Sequence, residues 1–176
     1  MTFRYNTTIL IAIVSFTVMA CTNAENKIEQ KPIEFKRSKV ELELNSMLNK
    51  WHKAAATANA DAFFSFMTED CIYLGTDPSE KWKRDELREW AAFAFDRDTA
   101  WAFTPFEREI YFAKDSKTAW FDEKLKTQMG ECRGSGVLIE TENGWKLNHY
   151  NLAVTILNEK MKEFLQIDQK TNPKKP

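Results

Sequence analysis

The chain is poor in the residues that usually advertise a site. Its 176 residues include two histidines and three cysteines, and 25 Lys and Arg stand against 26 Asp and Glu. Neither histidine sits in an HExxH or comparable spacing, so no metal site is recognisable, and no cofactor is expected. No two cysteines form a CxxC pair, which excludes a zinc ribbon and disfavours a disulfide framework. A net charge of −1 with no basic stripe counts against nucleic acid as a partner. What the chain does have is aromatic rings. Thirteen Phe and six Trp can fill a core without covalent staples, and the length suits one domain with short extensions.

Residues 1–20 read as a signal peptide, with Arg4 in a positive start and an apolar run from Ile9 to Met19. The run is short for a membrane span and is soon followed by polar residues. It ends in Val18-Met19-Ala20-Cys21, which resembles a bacterial lipobox, where the cysteine is lipidated and becomes the mature N-terminus. Cys21 is therefore the expected lipid site, and residues 21–37 the lipidated end and polar tether. Thr22 is not the Asp that retains such lipoproteins on the inner membrane. The expected location is the cell envelope, at the outer membrane facing the periplasm.

Residues 38–157 form the expected domain. Ser38 and Glu41 read as a capping box opening a helix with Val40, Leu44, Met47, Leu48, Trp51, Ala55 and Ala58 at helical spacing. Asn59 caps a second short helix. Cys71 to Gly75 reads as a strand. Asp77-Pro78-Ser79-Glu80 resembles a helix start, with a third helix over 83–95. Strands follow at 101–113 and 118–128. A long hairpin at 130–156 turns at Glu142-Asn143-Gly144. Residues 158–176 read as a short terminal helix and tail. Helices followed by antiparallel strands predict an α+β fold.

The hairpin carries the candidate site. If the faces of Trp145 and Ile139 point inward, alternation turns Arg133, Ser135, His149 and Asn151 toward the core as polar groups lining a small cavity. His149 is the candidate general base or ligand donor. Arg133 is either an anion clamp or one half of a structural pair with Glu123 or Asp122. If Ala119, Phe121 and Leu125 face in, Glu123 is the pocket carboxylate; if Trp120 does, Asp122 is. Such a carboxylate suits acid–base work and equally suits pairing with Arg108 or Arg133. Tyr73, Trp82 and Trp120 are expected ligand-contacting wall. Cys71 and Cys132 are candidates to meet in an oxidising compartment.

The element order, with Trp51–Met67 (WHKAAATANADAFFSFM), Tyr73–Trp82 (YLGTDPSEKW), Ala119–Leu125 (AWFDEKL), Cys132–Leu138 (CRGSGVL) and Gly144–Leu152 (GWKLNHYNL), resembles the nuclear transport factor 2-like superfamily, and within it the SnoaL-like (polyketide cyclase type) group. The resemblance spans roughly residues 39–156. It implies a cone of helices packed on a strongly bent antiparallel sheet (cystatin-like). It also implies a pocket, into which His52 on the covering helix can look, and a homodimer through the outer sheet face. It does not fix the chemistry, since relatives include isomerases, cyclases, dehydratases and binding modules. Three functions follow. The first is an exported, lipid-anchored module binding a small amphipathic or acidic ligand. The second is a cofactor-free isomerase, cyclase or hydratase using His149 and a carboxylate. The third is a structural dimerisation module.

Overall fold

The computed structural model describes residues 30–171, with side-chain environments for 37–167. The signal-peptide and lipidation expectations, Cys21 included, lie outside the described residues. The chain divides into Met1–Lys36 and Arg37–Pro176, and all six strands belong to the second unit.

Helix α1 spans Gln30–Ala56. This corrects the capping box, because Ser38 lies inside the helix. Leu44, Leu48, Trp51 and Ala55 form the buried stripe of α1. Asn59 then caps α2 (Ala60–Ser65), its side chain accepting from the Ala62 N–H at 2.9 Å, as expected. Strand β1 (Met67–Leu74) leads into a turn closed by Gly75 N–H donating to the Glu80 carbonyl. Here the expected helix start is overturned. Asp77 Oδ1 accepts from Ser79 within the turn, and a short strand β2 (Lys81–Lys83) intervenes before α3 (Arg84–Phe95).

The remaining strands are β3 (Thr104–Phe112), β4 (Thr118–Thr127), β5 (Gly130–Thr141) and β6 (Gly144–Val154). The sheet order is β2-β1-β6-β5-β4-β3. All neighbours are antiparallel except β1 and β6, which run parallel and make the sheet mixed. Gly144 has φ +90 at the hairpin turn, the left-handed conformation the Asn-Gly signal anticipates. A single-turn 3-10 helix and α4 (Met161–Thr171) follow the sheet. Helices thus pack on one curved, open sheet, the expected α+β architecture. Its core joins the α1 stripe to Phe63, Phe121, Leu125, Leu138, Leu147 and Tyr150.

Candidate functional site

The inner face of β4 carries Ala119, Phe121, Glu123 and Leu125, all buried. The open choice between carboxylates thus resolves to Glu123, which is fully buried, while Asp122 turns to the outer face. Across from it, β3 bulges. Phe106 pairs with Lys124 and Glu109 with Asp122, so Glu107 and Arg108 together oppose Glu123. Glu107 takes φ +47 to absorb the extra residue. Arg108 is thereby turned inward, with only 7% of its side chain exposed. Its Nε donates to Glu123 Oε2 at 2.7 Å. Nη2 lies 2.7 Å from the same oxygen but is not aligned for a hydrogen bond.

Helix α1 completes the cluster. Asn45, Asn49 and His52 follow one another at i, i+4 and i+7, a polar stripe beside the apolar one. Arg108 Nη1 donates to the Asn45 carbonyl and Oδ1, each at 3.2 Å, and to Asn49 Oδ1 at 2.9 Å. His52, 5% exposed, donates from Nε2 to Glu123 Oε1 at 2.6 Å. Burial by itself pushes the Glu123 carboxyl up. The hydrogen bond and attraction of His52, then those of Arg108, outweigh burial and hold it below its usual value. At neutral pH the group is an ionised carboxylate with both oxygens engaged.

Beside this cluster, Tyr150 is fully buried, and its Oη has no hydrogen-bond partner among the described residues; the same holds for Trp51 Nε1. Burial raises the Tyr150 phenol well above its ordinary value. Gly134 makes the room: a β-carbon there would lie 2.5 Å from Tyr150 Oη and 3.2 Å from Glu123 Oε1.

A separate open cavity of about 240 Å³ lies between α3, the β1–β2 turn and the start of β3. Tyr73, Trp82, Trp90, Trp101, Phe103 and Leu152 supply its apolar wall, and Thr76, Glu80, Arg97 and Gln128 its polar groups. Glu123, His52 and Arg108 do not line it. Tyr73 links the two regions, since it lines the cavity and packs on Tyr150 with ring centroids 5.2 Å apart. Among the described residues no group of three or more His, Cys, Asp or Glu is placed to hold a metal ion.

The expected site residues divide accordingly. Tyr73 and Trp82 line the cavity. His52 is buried against Glu123. The inward placement of Arg133, Ser135, His149 and Asn151 is corrected, for they lie on the outer face, Arg133 exposed and the others half-buried. Trp120 is outward too, 45% exposed and stacked on Tyr111. Two physical causes produce this inversion. The inner positions of β5 are Cys132, Gly134, Gly136 and Leu138, and glycine carries no apolar signature to reveal them. In β6, Leu147 pairs with Leu138 but His149 pairs with Val137, leaving Asn148 as a bulge. The bulge switches the inner face from Trp145 and Leu147 to Tyr150 and Leu152. Asn148 itself is tied to Thr68 and Asp70 of β1. Glu123 accordingly pairs with Arg108 and His52, not with Arg133 or His149. Cys71 and Cys132 are both free and buried. Ile72 stands beside His149, and Cys132 beside Val154. The two thiols are therefore on the order of 17 Å apart along β6, beyond disulfide reach. Burial, then Asp70, pushes the Cys71 thiol up to about 12.

Arg108 was visible in sequence only as an alternating strand residue and a possible carboxylate partner. Asn45, Asn49, Tyr150 and Trp51 gave no separate signal, although the stripe of Asn45, Asn49 and His52 is legible once a buried partner is sought.

No curated protein matches the chain. Its fold is that of several solved structures. An NTF2-like protein with a cystatin-like fold from Novosphingobium aromaticivorans superposes with a TM-score of 0.61 at 12% identity, over 81% of this chain and 99% of that one. An NTF2-like protein of unknown function from Pseudomonas putida KT2440 gives 0.57 at 10% identity, over 70% and 92%. A candidate scytalone dehydratase from Novosphingobium aromaticivorans DSM 12444 gives 0.57 at 12%, over 69% and 89%. These identities speak for the fold alone. The SnoaL-like domain model matches residues 44–156, the whole stretch from the buried stripe of α1 to the end of the sheet, and the chain belongs to that family.

Proposed function

We propose that the protein binds a small amphipathic molecule in the aromatic cavity without transforming it, while held to the cell envelope by a lipid on Cys21. The observation that carries the binding reading is the separation of chemistry from space. The titratable cluster of Glu123, His52 and Arg108 is buried with both carboxylate oxygens engaged, whereas the open cavity is walled by rings with a few polar groups. A general base must reach the proton it removes, and a sealed carboxylate with both oxygens engaged does not. An aromatic cavity with sparse polar groups is what a binding site for a flat, partly apolar molecule requires.

The test is calorimetric titration with a panel of small amphipathic compounds, comparing the parent with Trp82→Ala and Glu123→Gln. Binding lost in Trp82→Ala and kept in folded Glu123→Gln supports the cavity. Turnover of any bound compound that vanishes in Glu123→Gln would instead favour the isomerase, cyclase or hydratase reading. For the anchor, Cys21→Ser is expected to leave an unprocessed, unlipidated precursor. Normal maturation of that variant would remove the lipoprotein reading.

A further inference from the structure

The cavity holds one cation with no assigned task. Arg84, Arg88 and Arg108 each engage a carboxylate, of Asp85, Asp61 and Glu123 respectively. Arg97 lines the cavity yet makes no ion pair among the described residues. Its guanidinium instead lies over the Phe93 ring, 5.2 Å from the centroid. That contact orients the planar group while leaving its N–H fork unspent, the arrangement that suits bidentate capture of a carboxylate.

Beside it runs a staircase of rings from the interior to the surface. Tyr73 meets Trp82 at 6.4 Å, Trp82 meets Trp90 at 4.5 Å with an interplanar angle of 33°, and Trp90 meets Phe93 at 5.6 Å. Trp90 and Phe93 are about half exposed, at 45% and 54%. Exposed rings beside an open cavity offer stacking area, and the cation stands where the staircase ends. The other charged side chain lining the cavity is Glu80. One of its oxygens accepts the Asp77 N–H at 3.1 Å, so it is held to its own turn.

We infer that the cavity selects a flat aromatic carboxylate, its ring against the Trp82 and Trp90 side and its carboxylate on Arg97. This inference rests on the binding reading above. It adds the sign of the ligand's charge and the residue that reads it. Glu80, in the same lining, repels the anion weakly, which favours a single carboxylate over a dianion.

The experiment uses the full chain and two probes of matched shape, 2-naphthoate and its neutral amide, titrated calorimetrically at neutral pH. The parent is expected to prefer the carboxylate by about tenfold, the scale of one charge-assisted contact at a partly wet site. In Arg97→Gln that preference should vanish through loss of naphthoate affinity, with the amide unchanged. Arg97→Lys should recover part of it, and Glu80→Gln should tighten naphthoate about two- to threefold by removing the weaker repulsion. Equal affinity of the parent for the two probes would overturn the inference, as would an Arg97→Gln variant that weakens both alike; in either case the cavity remains a binding site. Binding of neither probe would remove the binding reading and this inference with it.

Discussion

Replacing Glu123 by Gln removes one charge from the molecule's interior and changes its shape very little. The carboxylate accepts from His52 Nε2 at 2.6 Å and from Arg108 Nε at 2.7 Å, with no exposed surface of its own. The amide can still accept on its one oxygen, but its NH₂ then faces a donor, and Arg108 is left buried without a counter-charge. Removing one partner of such a pair costs about 3–5 kcal/mol. With a typical urea dependence of about 2 kcal/mol per molar, the unfolding midpoint should fall by roughly 2 M. Double replacement of Glu123→Gln with Arg108→Met should recover part of that loss, because the stranded cation goes too. The pH dependence has a definite sign. The folded carboxyl lies below its ordinary value, with the bond to His52 the first of the opposing causes that outweigh burial. Its stabilisation is therefore complete above the unfolded value of about 4.3 and is lost as pH falls through the folded value. The difference between parent and variant should therefore shrink as pH falls below that unfolded value. Urea unfolding of both proteins at pH 7, 5 and 3.5 measures this. A loss below about 1 kcal/mol at pH 7, or a parent–variant difference that does not shrink on acidification, would refute a dry, mutually satisfied cluster.

Other predictions concern the surroundings of that carboxylate. Tyr150→Phe deletes an unpartnered buried hydroxyl and should be neutral or stabilise by up to about 1 kcal/mol in the same assay; a clear loss would reveal a bond to Oη. Gly134→Ala places a methyl 2.5 Å from Tyr150 Oη and should cost about 1–3 kcal/mol in thermal unfolding. Arg133→Met and His149→Gln, both on the outer face, should stay within about 0.5 kcal/mol of the parent and leave binding calorimetry unchanged. An altered ligand affinity in either would return the site to the hairpin's other side.

Much of the fold is legible in the sequence because its signals are local. Asn59 announces the second helix, the apolar spacing of α1 marks its buried stripe, and Gly144 marks the hairpin turn. The candidate site is less legible because it depends on residues that break the alternation. Gly134 and Gly136 occupy inner positions with no side chain, and the bulges at Glu107 and Asn148 each switch which neighbours face in. One switch brings Arg108 to Glu123, and the other turns His149 outward and Tyr150 inward. Alternation assigns the two faces correctly only between such interruptions. The parallel pairing of β1 with β6 is similarly hidden, because nothing near Met67–Leu74 records a partner some eighty residues away.

That parallel pairing bears on how the chain acquires its structure. Strands β3 to β6 form a meander of sequential hairpins, whose contacts close short loops. The seam between β1 and β6 closes a far longer one, as the Asn148 bonds to Thr68 and Asp70 span 80 and 78 residues. The bond from α1 to β4, His52 to Glu123, spans 71. The meander can therefore assemble first, while β1 can pair only once β6, the last strand, is in place. A search dominated by such distant closures belongs to the slower, millisecond-to-second class. If α1 docks late in that search, Glu123 and Arg108 stay in water until then, and their desolvation falls on the native side of the folding barrier. Substitutions in this cluster should then accelerate unfolding far more than they slow folding.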